Sequence, residues 1–184
     1  MTSATLFMPD LVDTSAGLLA VHRASLADAA AVLAVVRTAA AWVASRGSDQ
    51  WAYYLTDDAA GLVRERIERH EVYLFRLGDG QAVGTLCLQW ADTVYWPECG
   101  DDGMAGYVHQ LAIDPAAVGG RGVGAGLLAW SADRIRAAGR SRFRLDCIAS
   151  NVDLCRYYER QGFRRSGTVA PYGATAQRWE RDLG

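Results

Sequence analysis

Between residues 119 and 126 the chain places five glycines, in the stretch "GGRGVGAG", immediately before the helix-like run "LLAW". Glycine is costly to order in a helix, so a cluster at a helix start signals that something must approach the backbone closely. The stretch follows a strand-like run, "GYVHQLAID" (106–114), across Asp114-Pro115-Ala116-Ala117-Val118. Strand, glycine-rich turn and helix together make an anion site, because successive backbone N–H groups converge at the positive end of the helix dipole. The feature requires a sheet that feeds a helix, and it asks for a phosphate-bearing ligand.

Composition removes one reading of that site. All 19 basic residues are arginine, so neither a P-loop lysine nor a Schiff-base lysine exists. A Rossmann-like nucleotide site is a further alternative, with Asp146 at a suitable distance for a ribose-binding acid. There, however, the first glycine turns directly off the strand, and too little chain follows Asp146 to complete a doubly wound sheet.

Around this unit the pattern is that of one mixed α/β domain over 17–184, preceded by a loosely held arm over 1–16. "LLAVHRA" (18–24) reads as a strand, and Ser25 with Asp28 resembles a capping box for a long alanine-rich helix ending near Gly47. A second helix is expected over 57–70 with Thr56 as its cap. A hairpin with a Gly-Asp-Gly turn follows over 71–92, then an aromatic and acidic loop over 93–105. Beyond the glycines we expect a helix over 122–139, anchored by Leu127, Leu128, Ile135 and Ala138. "RFRLDCI" (142–148) alternates as a strand with Asp146 opposite Cys147. A short helix over 151–161 and two antiparallel strands complete the chain, and those last strands offer an edge for a homodimer.

The motif "GGRGVGAGLL" after "LAIDP" resembles the acyl-CoA motif of the GNAT superfamily of N-acyltransferases, Q/R-x-x-G-x-G/A, with Gly119 standing where the family has Gln or Arg. "NVDLCRYYERQGF" (151–163) resembles that family's later motif. The two motifs span 106–163. The resemblance implies a single domain with a mixed sheet of six to seven strands, helices on both faces, and a parallel pair, 106–114 and 142–148, that splays apart. It also implies acetyl-CoA, or another acyl-CoA, as co-substrate. The cofactor would be held by Leu111, Ala112, Ile113, Gly119, Gly120, Arg121, Gly122, Val123, Gly124, Ala125, Asn151 and Tyr158. Tyr158 takes the position of the family's general acid.

His109 borders the implied gap and titrates in the useful range, which makes it the candidate base. By strand alternation it shares a face with Leu111 and Ile113. Trp42, Gln50, Trp51, Trp90 and Asp146 are candidates for the acceptor pocket. The acceptor is a primary amine, either a small molecule or a protein N-terminus. A non-catalytic acyl-CoA-binding or regulatory module with the same fold is the alternative from another class. No metal, nucleic acid or membrane is expected: the formal net charge is −2, the cysteines lack a C-x-x-C pair, and no apolar run is expected to reach membrane length. Scattered cysteines and the absence of a signal-peptide pattern suggest the cytoplasm.

Overall fold

The computed structural model describes residues 10–184. Eight strands form one sheet in the order β1-β2-β3-β4-β5-β6-β8-β7. They are β1 (Asp10–Thr14), β2 (Gly17–Arg23), β3 (Glu71–Arg76), β4 (Ala82–Gln89), β5 (Ala105–Ile113), β6 (Arg142–Ile148), β7 (Arg164–Val169) and β8 (Ala176–Asp182). The expected count of six to seven was short because the segment read as a loose arm contributes an edge strand. Asp10–Thr14 pairs along its whole length with β2. The remainder of that arm, residues 1–9, lies outside the described residues. Among the described residues β5–β6 is the parallel pair, and all other neighbours run antiparallel.

Helices cover both faces. On one side α1 (Ala29–Ser45) and α2 (Ala59–Arg69) bury Val32, Val35, Val36, Val63 and Ile67 against Val72, Leu74, Cys87 and Ala112. On the other, α4 (Val123–Ala137) and α5 (Val152–Arg160) pack on Phe75, Leu86, Leu88, Val108, Phe143 and Leu145. A single turn, α3 (Pro115–Val118), links β5 to the glycines; Asp114 caps it by accepting from the N–H groups of Ala116 and Ala117. Leu127, Leu128 and Ile135 are fully buried and fix α4 to the sheet, each contributing about 1.5–3 kcal/mol of burial. Ala138 does not join them: it is the exposed C-cap, and Gly139 beyond it takes the left-handed turn that ends the helix.

Three further local differences have simple causes. The Asp28 carboxylate does accept the Ser25 N–H at 3.0 Å, but the box caps a single 3₁₀ turn from which α1 continues. Thr56 closes the preceding 3₁₀ turn (Ala52–Leu55), and Asp58 is the residue at the head of α2. The apolar run Leu26–Ser45, 20 residues, is long and apolar enough to cross a membrane; here its valines and alanines pack onto the sheet and α2. Of the final two strands only β7 is an edge, since β8 lies between it and β6.

Candidate active site

The glycine cluster forms a cradle at the head of α4. Gly120 and Gly122 sit at φ +72° and +71°, conformations that side chains resist. A Cβ on Gly119 would strike the Pro115 carbonyl, and one on Gly124 would lie 2.8 Å from the Tyr157 hydroxyl. The first helical hydrogen bond closes from the Gly126 N–H to the Gly122 carbonyl at 3.0 Å. The N–H groups of Val123, Gly124 and Ala125 therefore precede the helical ladder and donate to no carbonyl among the described residues. Arg121 is exposed beside them and makes no ion pair among the described residues. Clustered free donors at a helix head, with space where Cβ atoms would stand, fit a pyrophosphate.

The neighbouring strands open where the cradle begins. β5 pairs with β6 only from Ala105↔Arg142 to Val108↔Leu145. The next step contains a bulge: the register against β4 passes from Cys87↔His109 to Thr85↔Ala112, so β5 carries one extra residue. Gln110 absorbs it at φ +50°, a left-handed conformation for a side-chain-bearing residue that costs about 1–2 kcal/mol. Beyond it, Leu111, Ala112 and Ile113 pair with β4 or turn away, and none pairs with β6.

The bulge also corrects the face assigned to His109. Leu111 and Ile113 pack with the α4-side core, and Ala112 with the α1-side core. His109, in register with Cys87 of the α1-side core, faces the helices α1 and α2 instead. One extra residue reverses the alternation, because strand side chains have a period of two.

There His109 meets two carboxylates. Its Nε2 lies 3.2 Å from Asp92 Oδ2, and its Nδ1 lies 3.2 Å from Asp146 Oδ1. Neither oxygen takes another donor among the described residues, so each is left to the imidazole alone. Asp146 reaches the ring by the strict alternation of β6. Asp92 is placed by its loop: its N–H donates to the Gly100 carbonyl at 2.7 Å, while its Oδ1 accepts from Val94 and Tyr95. Gly100 is obligatory in that closure, since a Cβ there would strike the Asp92 carbonyl.

Burial works against the imidazolium, yet the hydrogen-bonding and charge of Asp146 and Asp92 outweigh it and push the His109 pKa up to about 9. Burial likewise opposes the Asp92 carboxylate, but contact with His109 and two backbone N–H groups bring its pKa below the usual range. The cluster thus carries one positive and two negative charges at neutral pH. The three ligand atoms come within 4.8 Å of one another. The carboxylates address different ring nitrogens, whereas a single ion takes only one, so the set holds a proton better than it would cage a metal.

Tyr158 stands on the other side of the opening, buried among Phe163, Trp179 and Cys147. Burial pushes its hydroxyl pKa upward, with the neighbouring Cys147 adding to the effect. The hydroxyl makes no protein hydrogen bond among the described residues, leaving its proton available to a ligand. Asn151 caps α5 as expected, accepting the Leu154 N–H at 3.0 Å and keeping its amide N–H groups free. Cys147 and Cys155 are buried thiols, and burial pushes Cys147 up to about 12.

The pattern of the Acetyltransferase (GNAT) family matches residues 37–163. An uncharacterized N-acetyltransferase of Bacillus subtilis, YesJ, is 31% identical over 149 residues, spanning 78% of this chain and 80% of that protein. The chain belongs to the GNAT acetyltransferase family. A solved GNAT-family acetyltransferase from Listeria monocytogenes superposes with a TM-score of 0.77 at 24% identity, covering 94% of this chain and 99% of that one. The yncA protein of Salmonella typhimurium, solved with its cofactor acetyl-CoA, aligns with a TM-score of 0.59 at 17% identity over 90% of this chain and 94% of its own. These likenesses establish the GNAT fold with its splayed β5–β6 pair.

Within this GNAT fold the residues expected at the acceptor divide. Asp146 belongs to the cluster at His109. Trp51 packs partly buried between α1 and Tyr54. Trp42 is exposed on α1 with the Arg46 guanidinium 4.1 Å above its ring. Gln50 lies in the turn after α1, its N–H directed to Ser48 Oγ. Trp90 donates to Glu71 at 3.2 Å, lies beneath Arg140, and lines a cleft with His70 and Gln89. Sequence reasoning missed Asp92 and Tyr95 as neighbours of His109; the Tyr95 ring is 5.7 Å from the imidazole. Their signal was the Asp-x-Val-Tyr turn itself, in which an aspartate bonds the N–H groups two and three residues on.

Proposed function

We propose that the protein transfers an acetyl group from acetyl-CoA to the primary amine of a small acceptor, by direct attack of the amine on the thioester. The observation that carries this reading is the coincidence of the cradle, the open β5–β6 edge and the Asp92–His109–Asp146 cluster at one point of the sheet. The amides of Val123, Gly124 and Ala125, with Arg121, would hold the pyrophosphate of the cofactor. The free edge of Leu111 to Ile113 would pair with its amide-bearing arm, and Asn151 would bond that arm from α5. The bound cofactor supplies an activated acyl group and a thiol leaving group.

An alkyl ammonium of pKa about 10.4 must lose a proton before it can attack, at a cost of about 4.6 kcal/mol at pH 7. The net negative cluster draws in the ammonium, and His109 accepts its proton whenever the ring is neutral. A base near pKa 9 is well matched to such an acid, although only about one ring in a hundred is neutral at pH 7. The C–N bond forms as the C–S bond breaks. Tyr158 donates its proton to the departing sulfur, and the ammonium's second proton restores the balance. One proton is released to solvent per turnover. The four free cysteines suit a reducing, cytoplasmic setting.

Calorimetric titration with acetyl-CoA, using NAD as control, tests the cofactor assignment. One acetyl-CoA per chain without an NAD signal is the expected result. Binding of NAD in its place would overturn it. Binding of acetyl-CoA with no turnover on any amine would leave a non-catalytic acyl-CoA-binding module.

A further inference from the structure

Arg66 on helix α2 and His70, the extended residue that ends the helix, line a cleft of ≈ 150 Å³ against β4 with Leu62 and Gln89. The other arginines nearby are engaged: Arg69 pairs with Glu65 at 3.2 Å, and Arg37 donates to the carbonyls of Tyr54 and Thr56. Arg66 is half-buried and makes no ion pair or hydrogen bond to a carboxylate or carbonyl among the described residues. The Cys87 thiol beside it is a weak hydrogen-bond partner, so this partly withdrawn guanidinium keeps donors for an anion, and its planar fork suits a carboxylate.

The cleft adjoins the proposed catalytic cluster. Gln89 lies two residues from Cys87 on β4, and Cys87 is directly opposite His109 on β5, a separation of about 5 Å between backbones. The field of Arg66 is felt at Cys87, where it counters the upward push of burial on the thiol, and at Tyr95, whose ring stands beside His109. The face of the sheet under α2 therefore has two poles. One is Arg66, a cation with no carboxylate paired to it among the described residues; the other is the Asp92–His109–Asp146 set with its net negative charge. Beside the cation, burial and Arg66 together push the His70 pKa down, so His70 is a neutral hydrogen-bonding group at pH 7.

We infer that the acceptor is an amino acid or similar amine that also bears a carboxylate, its ammonium drawn to the net negative Asp92–His109–Asp146 set and its carboxylate pairing with Arg66. The inference rests on the acetyl-transfer reading and narrows it. A polyamine or aminoglycoside would bring further positive charge towards Arg66, whereas a zwitterion neutralises both poles.

The test measures transfer from radiolabelled acetyl-CoA to a panel of amino acids, to the methyl ester of each, and to the corresponding decarboxylated amines. For the best acid, kcat/KM at least tenfold above that of its ester is expected. Arg66→Gln is expected to reduce the acid-to-ester ratio at least tenfold, mostly through KM, while Arg66→Lys retains part of it. Calorimetry with acetyl-CoA checks that each variant is folded and binds the cofactor. An unchanged ratio in Arg66→Gln overturns the inference, as does preference for esters or decarboxylated amines in the wild type; acetyl transfer itself would then stand. Binding of acetyl-CoA without transfer to any compound overturns both readings.

Discussion

Replacing Asp92 with Asn probes the His109 cluster most directly, because the substitution keeps the shape and removes one of two matched charges. Both carboxylates contact the ring at 3.2 Å, and together they raise the imidazole from 6.5 to about 9. Burial acts in the opposite sense, so the two upward contributions together exceed the net rise. Losing the Asp92 charge must therefore lower the ring's pKa from its wild-type value. Three histidines, His22, His70 and His109, give few enough signals for each to be followed by NMR from pH 5 to 10. If His109 is the base, the rising limb of kcat/KM moves down in pH together with the ring. Linkage provides a second reading. A histidine whose folded pKa lies above its unfolded value stabilises the fold fully below about pH 6.5, and that stabilisation is lost as pH rises through 9. At about 1.4 kcal/mol per pH unit, the wild type holds roughly 3 kcal/mol there, of which Asp92→Asn forfeits the part due to Asp92. A wild-type His109 that titrates near 6.5, or a variant that still titrates near 9, would refute the reasoning.

Further outcomes follow from the same geometry. Tyr158→Phe is expected to lower kcat by 10²-fold or more while the calorimetric affinity for acetyl-CoA changes little, since the ring's packing is kept and only the proton donor is lost. Gly106→Ala places a methyl group against Ile135 in the α4 interface, and an overpacking loss of about 1–3 kcal/mol is expected by chemical denaturation. Arg144→Met leaves Glu180 and Asp102 without the buried guanidinium that they contact at 2.8 and 3.0 Å, so a loss of about 3–5 kcal/mol is expected in the same assay.

Much of this molecule can be read from local pattern. The glycines, the Asn151 cap and the alternation of β6 each act within a few residues, and the structure keeps each where the pattern puts it. β1 escapes the same reading because "DLVDT" sets its two apolar residues side by side, shows no alternation and is too short to stand out; the partner that makes it a strand is β2, across a two-residue turn. Trp42 and Trp90 show a different limit. An aromatic residue near a site is visible in sequence, but whether its ring lines the pocket or supports a neighbour depends on Arg46, Glu71 and Arg140, which the fold brings to it.

Gln110 links the two halves of the site. Alternation along "VHQLAI" puts His109 with Leu111 and Ile113, and glutamine gives no sign that it will adopt a left-handed conformation. The bulge is settled by competition along β5: Val108 must join the α4-side core, Ala112 must fit beneath α1, and the odd number of intervening residues cannot satisfy both without an extra step. That step does two things at once. It ends the pairing with β6, leaving backbone groups free for a ligand strand, and it sets Leu111 and Ile113 on the face opposite His109, which stays with Asp92 and Asp146. Deleting Gln110 would restore simple alternation and continuous pairing. It is therefore expected to abolish acetyl-CoA binding while His109 keeps its place opposite Cys87; retention of acetyl-CoA binding would show that the opening does not depend on the bulge.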